Sequence, residues 1–167
     1  MKLMRTHYLD ASAIVKLFVA EQGSNAVRAY FDKEEKFCIT NLCFVEALTV
    51  LKVKYKYRKE ISKEEYFSAC DHLFAYAGKG VKIEIENIEI RDRMVFTEVE
   101  KLARKYKIDV SDAFQIVSIK RNYFSRFTSD SKPILITGDQ ALATAACKEG
   151  IRVWDCVNEP EPNNVGN

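Results

Sequence analysis

Short apolar segments alternate with segments of helical periodicity along nearly the whole chain, and this alternation constrains the fold more than any other feature of the sequence. The predicted strands cover residues 7–9, 36–40, 81–87, 133–137 and 151–154. Helical spacing of apolar residues fills the intervals between them. Because neighbouring parallel strands need long crossover connections, this order predicts an α/β fold with a mainly parallel sheet of about five strands and helices on both faces.

The predicted helices carry recognisable signals at their ends. Ser62 and Glu65 form an S-x-x-E capping box before one helix, which Gly78 and Gly80 terminate. Another helix, over residues 113–119, is capped by either Asp109 or Ser111. The helices are predicted over residues 13–20, 23–31, 42–57, 62–77, 90–106, 113–119 and 140–148.

Length and composition indicate a single domain. The chain has 167 residues, of which 47% are hydrophobic and 30% charged, which suits one globular core of ordinary size. We expect this domain to span residues 1–157. The polar tract over residues 121–132 is predicted to be a loop, and residues 158–167 a disordered tail.

The charge balance limits what kind of partner surface is expected. The formal net charge of +2 comes from 26 basic and 24 acidic residues. Such a balance creates no overall field that would attract polyanions. Any surface that binds nucleic acid must therefore be local.

Cysteine usage and hydropathy predict a cytoplasmic chain. The cysteines are odd in number and include no C-x-x-C pair, which favours a reducing compartment and buried thiols over a disulfide framework; they are Cys38, Cys43, Cys70, Cys147 and Cys156. Arg5, His7 and Asp10 interrupt the first apolar stretch too early for a signal peptide. No apolar run reaches the length that spans a membrane, so we expect no membrane contact.

Several common catalytic motifs are missing from the sequence. His7 and His72 are the only histidines, and neither accompanies a recognisable serine or cysteine nucleophile motif. The chain contains no G-x-x-x-x-G-K-[ST] loop and no G-x-G-x-x-G fingerprint. The sequence therefore gives no support to a nucleophilic triad or to a glycine-rich nucleotide cradle.

Acidic residues follow the predicted strands or begin the helices beyond them. Asp10 ends the first strand, Asp139 follows the fourth after Gly138, and Asp112 opens a helix. Sites in open α/β sheets form beyond the carboxyl ends of the strands, which favours a functional interpretation. An aspartate at a helix N-terminus also accepts backbone N–H groups, so a structural interpretation of each one stays open.

Glu46 is harder to explain by structure alone. It lies in NLCFVEALTVL, inside an apolar helix where an unpaired carboxylate is costly. If Asp10, Glu46, Asp112 and Asp139 converge, their mutual repulsion calls for a neutralising cation. An all-oxygen site without histidine or cysteine favours Mg²⁺ or Mn²⁺ over zinc. Two such ions about 4 Å apart can activate water and stabilise the leaving oxygen of a phosphodiester.

A local basic tract continues the helix that carries Glu46. Tyr55 and Tyr57 alternate there with basic residues, an arrangement that can hold phosphates and stack bases. A solvated helix end rich in lysine is the alternative interpretation. The candidate RNA-binding residues are Lys52, Lys56, Arg58 and Lys59, with Lys54 between them.

The order of four segments resembles the PIN-domain family, and most of all its VapC-type ribonuclease toxins. The segments are YLDASAIVK, NLCFVEAL, VSDAFQIV and LITGDQAL, and the resemblance covers about residues 6–155. It implies a parallel sheet of about five strands and metal-dependent cleavage of RNA. It also implies RNA and a small antitoxin protein as partners, and a homodimer.

The resemblance assigns roles to particular positions. Metal ligation is carried over to the family's four acids, which correspond here to Asp10, Glu46, Asp112 and Asp139. Ser12 and Thr137 match polar positions that support these acids, although each could simply cap a helix. Asp109 lies three residues before Asp112 and competes with it for the third role, and Asp155 is placed to join the acidic rim.

Other functions remain open at this stage. A PIN nuclease that processes RNA outside a toxin pair would carry the same acids. A PIN-like scaffold would bind RNA or protein without cutting. A phosphatase of haloacid-dehalogenase type would use Asp10 as a covalent nucleophile, but it normally needs a second aspartate two residues later, where this chain has Ser12.

Overall fold

The five predicted strands form one parallel sheet. The computed structural model describes residues 6–34, 36–78, 81–88, 90–121 and 133–162. Within these ranges the strand order is β3-β2-β1-β4-β5, and all neighbouring strands pair in parallel. The strands are β1 (His7–Leu9), β2 (Phe37–Thr40), β3 (Ile83–Glu86), β4 (Ile134–Thr137) and β5 (Arg152–Asp155).

Seven α-helices in the described ranges connect or follow these strands, and the third continues into a π-helical segment, Val53–Tyr57. The helices are α1 (Ala11–Phe18), α2 (Ser24–Lys33), α3 (Asn41–Lys52), α4 (Lys63–Tyr76), α5 (Arg93–Tyr106), α6 (Val110–Arg121) and α7 (Gln140–Lys148).

The helices cover both faces of the sheet. Successive side chains of a strand point to opposite faces, so Leu9 and Ile136 pack into one core while Tyr8 and Leu135 pack into the other. The first core includes buried residues of α1 to α4, and the second includes buried residues of α5 to α7. The predicted α/β architecture with a single parallel sheet is therefore confirmed.

Side-chain caps explain where several helices begin. Asp10 caps α1, Thr40 caps α3 and Asp139 caps α7, each by accepting a backbone N–H group of the first turn. Ser62 and Glu65 form the predicted capping box at the start of α4. Asp10 directly follows β1, Thr40 is the last residue of β2, and Asp139 follows β4 after Gly138, so each of these helices begins close to the end of its strand.

Some predicted boundaries were wrong by a few residues. The first helix begins at Ala11 rather than residue 13, because Asp10 already caps it. Helix α6 begins at Val110, so Ser111 lies inside its first turn and does not cap it. Cys147 is exposed, contrary to the expectation that all the thiols are buried. Of the predicted loop over residues 121–132, Arg121 is instead the last residue of α6, and residues 122–132 lie outside the described residues.

The end of the described chain contacts the body of the domain. Lys33 forms a 2.7 Å ion pair with Glu161, and the indole of Trp154 donates to the backbone carbonyl of Glu159. Residues 163–167 lie outside the described residues, so the disordered tail stays a prediction. Among the described residues no helix combines the length and apolar character needed to cross a membrane.

The strand order defines where a ligand-binding crevice is expected in this sheet. The chain runs from β1 outward to β2 and β3 on one side, and later adds β4 and β5 on the other. A crevice therefore opens beyond the carboxyl ends of β1 and β4, where ligands bind in open α/β sheets. Asp10 follows β1 and Thr137 ends β4 at this edge.

Candidate functional site

Asp10 lies at the centre of the carboxyl edge and is almost completely buried, with 4% of its surface exposed. Its backbone N–H donates to the carbonyl of Ile136 on β4, which continues the pairing of the two strands by one residue. Its side chain caps α1 through the backbone N–H of Ser12. The capping and site interpretations of Asp10 are therefore compatible.

Ser12 and Thr137 hold one oxygen of the Asp10 carboxylate. The Ser12 hydroxyl donates to Oδ2 of Asp10 over 2.6 Å, and the Thr137 hydroxyl donates to the same oxygen over 2.9 Å. Each hydroxyl also accepts a backbone N–H group, from Gly138 and Asp139 respectively. The structure thus places both predicted supporting residues against Asp10, and they tie its loop to the loop beyond β4.

Gln115 holds the other oxygen, a role that was not predicted from the sequence. Its side-chain Nε2 donates to Oδ1 of Asp10 over 2.8 Å, and only 2% of the residue is exposed. The available signal was a polar residue in an apolar helical run, three positions after Asp112 and hence on the same helix face. Donors on both oxygens fix the orientation of the Asp10 carboxylate.

Glu46 lies on α3 and is partly buried, and its carboxylate lacks a full set of hydrogen-bond partners among the described residues. Its Oε2 is a buried side-chain oxygen with no hydrogen-bond partner among the described residues. Burial raises the pKa of Glu46, and nearby negative charges raise it further; these belong to Asp10, Asp109 and Asp139. A buried and unsatisfied oxygen among like charges is a position that a cation would stabilise.

Asp112 has the most perturbed carboxyl group of the site. It lies in the first turn of α6. Burial raises its pKa from 3.8 to about 7, with further contributions from the negative charges of Asp10, Asp139, Glu46 and Asp109. At neutral pH the site therefore binds a proton more readily than isolated carboxylates do, which signals a shortage of positive charge.

Asp139 and Asp109 stand at the exposed side of the site. Asp139 caps α7, where its Oδ1 accepts the backbone N–H of Leu142 over 3.0 Å. Asp109 directly precedes α6 and is exposed. Both side chains line the same cavity as Asp112, so the geometry brings a fifth carboxylate to the four that the sequence singled out.

These carboxylates surround one open cavity of about 220 Å³ at the carboxyl edge of the sheet. All four predicted acids line it, together with three other charged residues and several small or apolar ones. The lining residues are Asp10, Ala11, Ser12, Val15, Glu21, Glu46, Val50, Lys54, Asp109, Asp112 and Asp139.

The donor set fits a hard divalent cation. The acids that line the cavity offer carboxylate oxygens, and no histidine or cysteine of the described residues lines it, which is the donor set that Mg²⁺ and Mn²⁺ prefer. In the described part of the chain, no three carboxylate, imidazole or thiol groups lie close enough together to form a ready-made metal cage. Mg²⁺ usually keeps several waters and takes only one or two carboxylates, so separated carboxylates around a cavity suit a hydrated ion.

Asp155 does not line the cavity. Its carboxylate accepts the backbone N–H groups of Val157 and Asn158, each over 3.1 Å, and the side-chain amide of Asn158 over 2.8 Å. Burial raises the pKa of Asp155, but these hydrogen bonds outweigh it and leave the pKa below its usual value. The carboxylate is engaged in shaping the turn after β5.

The basic tract lies at the end of α3 and in the segment that follows. Its candidate RNA-binding side chains are all exposed; they are Lys52, Lys56, Arg58 and Lys59. Lys54 differs from them, because only 13% of its side chain is exposed and it lines the acidic cavity. Binding of RNA by the exposed residues stays a prediction.

Sequence comparison assigns the family. A family model of the PIN domain matches residues 7–139. This match covers well over half of the chain, and the chain therefore belongs to the PIN-domain family. No match was found among curated protein sequences. The predicted resemblance to this family is confirmed.

Solved structures share the fold at low sequence identity. PAE2754 from Pyrobaculum aerophilum is 17% identical, with a TM-score of 0.56 and 89% of each chain covered. VapC20 from Mycobacterium tuberculosis, described as a toxin that cleaves the sarcin–ricin loop, is 11% identical, with a TM-score of 0.59 over 83% of this chain and 94% of that one. FitAcB from Neisseria gonorrhoeae is 12% identical, with a TM-score of 0.57 over 92% of this chain and 99% of that one. At these identities the comparison shows the common fold.

Proposed function

We propose that the chain is a metal-dependent endoribonuclease that hydrolyses phosphodiester bonds of RNA. The proposed ligands of Mg²⁺ or Mn²⁺ are Asp10, Glu46, Asp112 and Asp139. The observation that carries the proposal is the convergence of these carboxylates on one cavity beyond the carboxyl ends of β1 and β4. Membership of the PIN-domain family adds support.

The chemistry divides between the metal and the protein. A divalent ion held by Asp10, Glu46, Asp112 and Asp139 would supply Lewis-acid chemistry, namely activation of a water and stabilisation of the charge on the leaving oxygen. The protein holds Asp10 in one orientation through Ser12, Thr137 and Gln115. Glu46 offers an oxygen that has no hydrogen-bond partner among the described residues. These side chains prepare the site before RNA arrives, so little reorganisation accompanies cleavage.

RNA is the proposed substrate rather than DNA. One structural neighbour, VapC20, is described as a toxin that cleaves the sarcin–ricin loop. The exposed basic tract at the end of α3 supplies positive charge and the exposed Tyr57 beyond the cavity-lining residues of the same helix. Phosphate contacts and base stacking from such a tract suit single-stranded or looped RNA.

A role as the toxin of a toxin–antitoxin pair is the finer part of the proposal. It includes a small antitoxin as partner, a homodimeric state and action in the cytoplasm, where the five free cysteines stay reduced. The similarity to VapC20 supports the toxin role. An antitoxin arginine would form strong paired hydrogen bonds with the carboxylates around the cavity.

The toxin role has its own test. Induced expression of the chain should arrest growth, and co-expression of a small neighbouring reading frame should restore it. The Asp112→Asn variant should not arrest growth. Cleavage of RNA without growth arrest would instead favour an RNA-processing PIN nuclease, which is the alternative with the same acids.

The nuclease proposal is tested with purified protein and labelled structured and single-stranded RNAs. Wild type, Asp10→Asn and Asp112→Asn are incubated with Mg²⁺, Mn²⁺ or EDTA after their folding has been verified. We expect cleavage by wild type that needs the metal and is lost in both variants. RNA binding without cleavage would favour the non-catalytic scaffold. Equal cleavage by all three proteins would contradict the assignment of the acids. Release of phosphate from small phosphomonoesters would favour the haloacid-dehalogenase alternative.

A further inference from the structure

Lys54 lies at the edge of the carboxylate cavity, on the same helix face as Glu46. Residues 46, 50 and 54 all line the cavity and follow one another at intervals of four, which places them on one face of a helix. Lys54 is the second residue of the π-helical segment that continues α3. Segments of this kind are rare and are often found at functional sites.

Two carboxylates fix the Lys54 ammonium group. Its Nζ lies 2.8 Å from Oε2 of Glu21 and 2.7 Å from Oε2 of Glu60. Glu21 is itself held by Lys16, whose Nζ lies 2.6 Å from Oε1. Only 13% of the Lys54 side chain and 8% of the Lys16 side chain are exposed. A lysine that normally samples many rotamers is therefore ordered before any ligand binds.

The chain turns back to bring Glu60 to Lys54. The π-helical segment ends at Arg58, whose backbone N–H donates to the carbonyl of Val53. Lys59 then adopts the left-handed conformation, with φ of 57°, and the N–H of Glu60 donates to the carbonyl of Lys54. Most residues other than glycine avoid this conformation, so the turn has a conformational cost that its contacts must offset.

Glu21 differs from the other acids around the cavity because it is already neutralised. Burial raises its pKa, but hydrogen bonds from Lys16 and Lys54 outweigh this and lower the pKa overall. Glu46 and Asp112, which line the same cavity, have the reverse shift, because burial and neighbouring acids raise their pKa values. Both carboxylate oxygens of Glu21 are therefore engaged in ion pairs with Lys16 and Lys54, which makes Glu21 a poor metal ligand.

The negative charge around the cavity repels the phosphates of an RNA strand unless a cation offsets it. Five carboxylates around the cavity, those of Asp10, Glu46, Asp109, Asp112 and Asp139, repel phosphate, and a metal ion would be needed to offset that repulsion. Among the residues that line the cavity, Lys54 is the one with a positive charge. An ammonium has three N–H donors, of which Glu21 and Glu60 take two. The third suits a phosphate oxygen.

We propose that Lys54 binds a phosphate of the RNA strand next to the phosphate that is cleaved, and that Glu21 and Glu60 hold it in place for this contact. Lys54 follows Glu46 by eight positions, or about 12 Å along the helix axis, so the lysine is displaced along the cavity from this proposed metal ligand. The contact thus sets the register of the strand in the cavity. This inference rests on the proposed nuclease function.

The first test measures RNA binding and cleavage by Lys54→Gln. We expect the RNA concentration for half-maximal single-turnover cleavage to rise about tenfold, because a hydrogen bond to a charged group contributes at this level. The maximal rate should change much less, and Mn²⁺ binding should match wild type. The slope of the logarithm of the RNA-binding constant against the logarithm of the salt concentration should decrease in magnitude by about 0.7, as expected for the loss of one phosphate contact. Lys54→Arg should retain most of the affinity.

A matched control separates this contact from general loss of charge. Lys101→Gln removes an exposed lysine from α5, on the other side of the sheet. It should leave cleavage and the salt slope unchanged. An equal effect of both substitutions would overturn the inference, because it would show only a response to net charge.

The decisive test places a neutral methylphosphonate at single positions of the RNA. In the cleavage-deficient Asp112→Asn background, one position beside the cleaved bond should weaken binding about tenfold when Lys54 is present. In the Lys54→Gln variant the same replacement should weaken RNA binding little further, because the substitution and the methylphosphonate remove the same contact. If Lys54→Gln does not fold, the scan is made with Lys54→Arg, where the penalty should persist at the same position.

The outcomes separate this inference from the proposed function. Wild-type cleavage with fully additive effects of Lys54→Gln and every methylphosphonate would overturn the Lys54 contact and leave the nuclease intact. If the scan with Lys54→Arg finds no sensitive position, the contact is likewise overturned. Absence of RNA cleavage by wild type would overturn the nuclease proposal, and the inference with it.

Discussion

Gln115 donates a 2.8 Å hydrogen bond to Oδ1 of Asp10, although the two residues are 105 positions apart in the chain. The other oxygen, Oδ2, accepts from Ser12 and Thr137. Helix α6, strand β4 and the start of helix α1 therefore all contribute to the orientation of one carboxylate. If Asp10 binds metal as proposed, these donors matter for the affinity, because partners that orient a metal ligand typically contribute about 10–100-fold.

Replacing Gln115 by leucine should weaken metal binding. The substitution keeps a buried side chain of similar size but leaves Oδ1 of Asp10 without its donor. We expect Mn²⁺ affinity to fall by about 10–100-fold, the range found for partners of metal ligands. Paramagnetic resonance of free Mn²⁺ measures the affinity, and urea unfolding in EDTA checks that the variant folds. A folded variant with unchanged affinity would show that Gln115 serves packing alone.

The metal-free protein should lose stability as the pH rises through the titration of Asp112. In the unfolded chain the pKa of this carboxyl is near 3.8. In the folded protein burial, and to a lesser extent the neighbouring acids, raise its pKa to about 7. Between these values the folded state binds more protons, so the free energy of unfolding falls with increasing pH. Asp112→Asn cannot titrate and should be the more stable protein at about pH 8, by roughly 1–2 kcal/mol after solvent screening.

Urea denaturation in EDTA, from about pH 4 to pH 8, measures this effect. Asp71→Asn, at an exposed aspartate of α4, is the matched control and should follow wild type at every pH. Saturating Mn²⁺ should remove the loss of stability at high pH, because the cation offsets the carboxylate charge. Wild type that gains stability relative to Asp112→Asn over this range would contradict the assigned direction of the pKa shift.

Thr137→Val should disturb the site while keeping the shape of the side chain. The hydroxyl of Thr137 donates to Asp10 and accepts the backbone N–H of Asp139, and the residue is fully buried. Valine leaves both groups without this partner, so we expect a loss of about 1–3 kcal/mol in stability. RNA cleavage should also fall, because Asp10 and the loop that carries Asp139 lose a common support.

Thr144→Val is the control for this substitution. Thr144 is exposed on α7, and its hydroxyl donates only to a backbone carbonyl of the same helix among the bonds described. It should change stability by less than about 0.5 kcal/mol. Comparable losses from both substitutions, measured by urea unfolding, would mean that the Thr137 hydroxyl has no special role.

Neutralising the exposed basic tract should weaken RNA binding uniformly across sequences. Each substitution to glutamine at Lys52, Lys56, Arg58 or Lys59 should lower the salt slope of binding by up to about 0.7 where the residue contacts a phosphate. Lys148→Gln, at the exposed end of α7, should leave the slope unchanged. Fluorescence anisotropy at several salt concentrations gives these slopes. Unchanged slopes in all four variants would support the alternative of a solvated helix end.

Much of the fold could be predicted from the sequence because its signals are local. The apolar run before Asp10 and the alternation around residues 81–87 each point to a strand without any knowledge of neighbours. The capping box at Ser62 also reads directly from spacing. The boundary at α6 was harder, since Asp109, Ser111 and Asp112 all suit a helix start, and the side chains alone do not rank them.

The site was predictable only where one residue type is out of place in its own segment. Glu46 stood out because a carboxylate interrupts an apolar helix face. Gln115 interrupts a similar run, but an amide is less costly to bury than a charge, so its signal is weaker. Lys54 could not be separated from the exposed lysines around it, because its partner Glu21 lies on a distant segment and meets it only in the folded chain.

The chemical ends of the RNA fragments test the central claim most directly. A metal ion held by the carboxylates would activate water for attack on phosphorus, and with the 3′ oxygen as the leaving group the P–O3′ bond would break, so cleavage should leave a 5′-phosphate and a 3′-hydroxyl. We predict these ends for wild type with Mn²⁺ and no cleavage by wild type in EDTA or by folded Asp112→Asn. Fragments with 2′,3′-cyclic phosphate ends, or cleavage that persists in EDTA, would contradict the account, because the 2′-hydroxyl rather than water would then be the nucleophile or the metal would be dispensable.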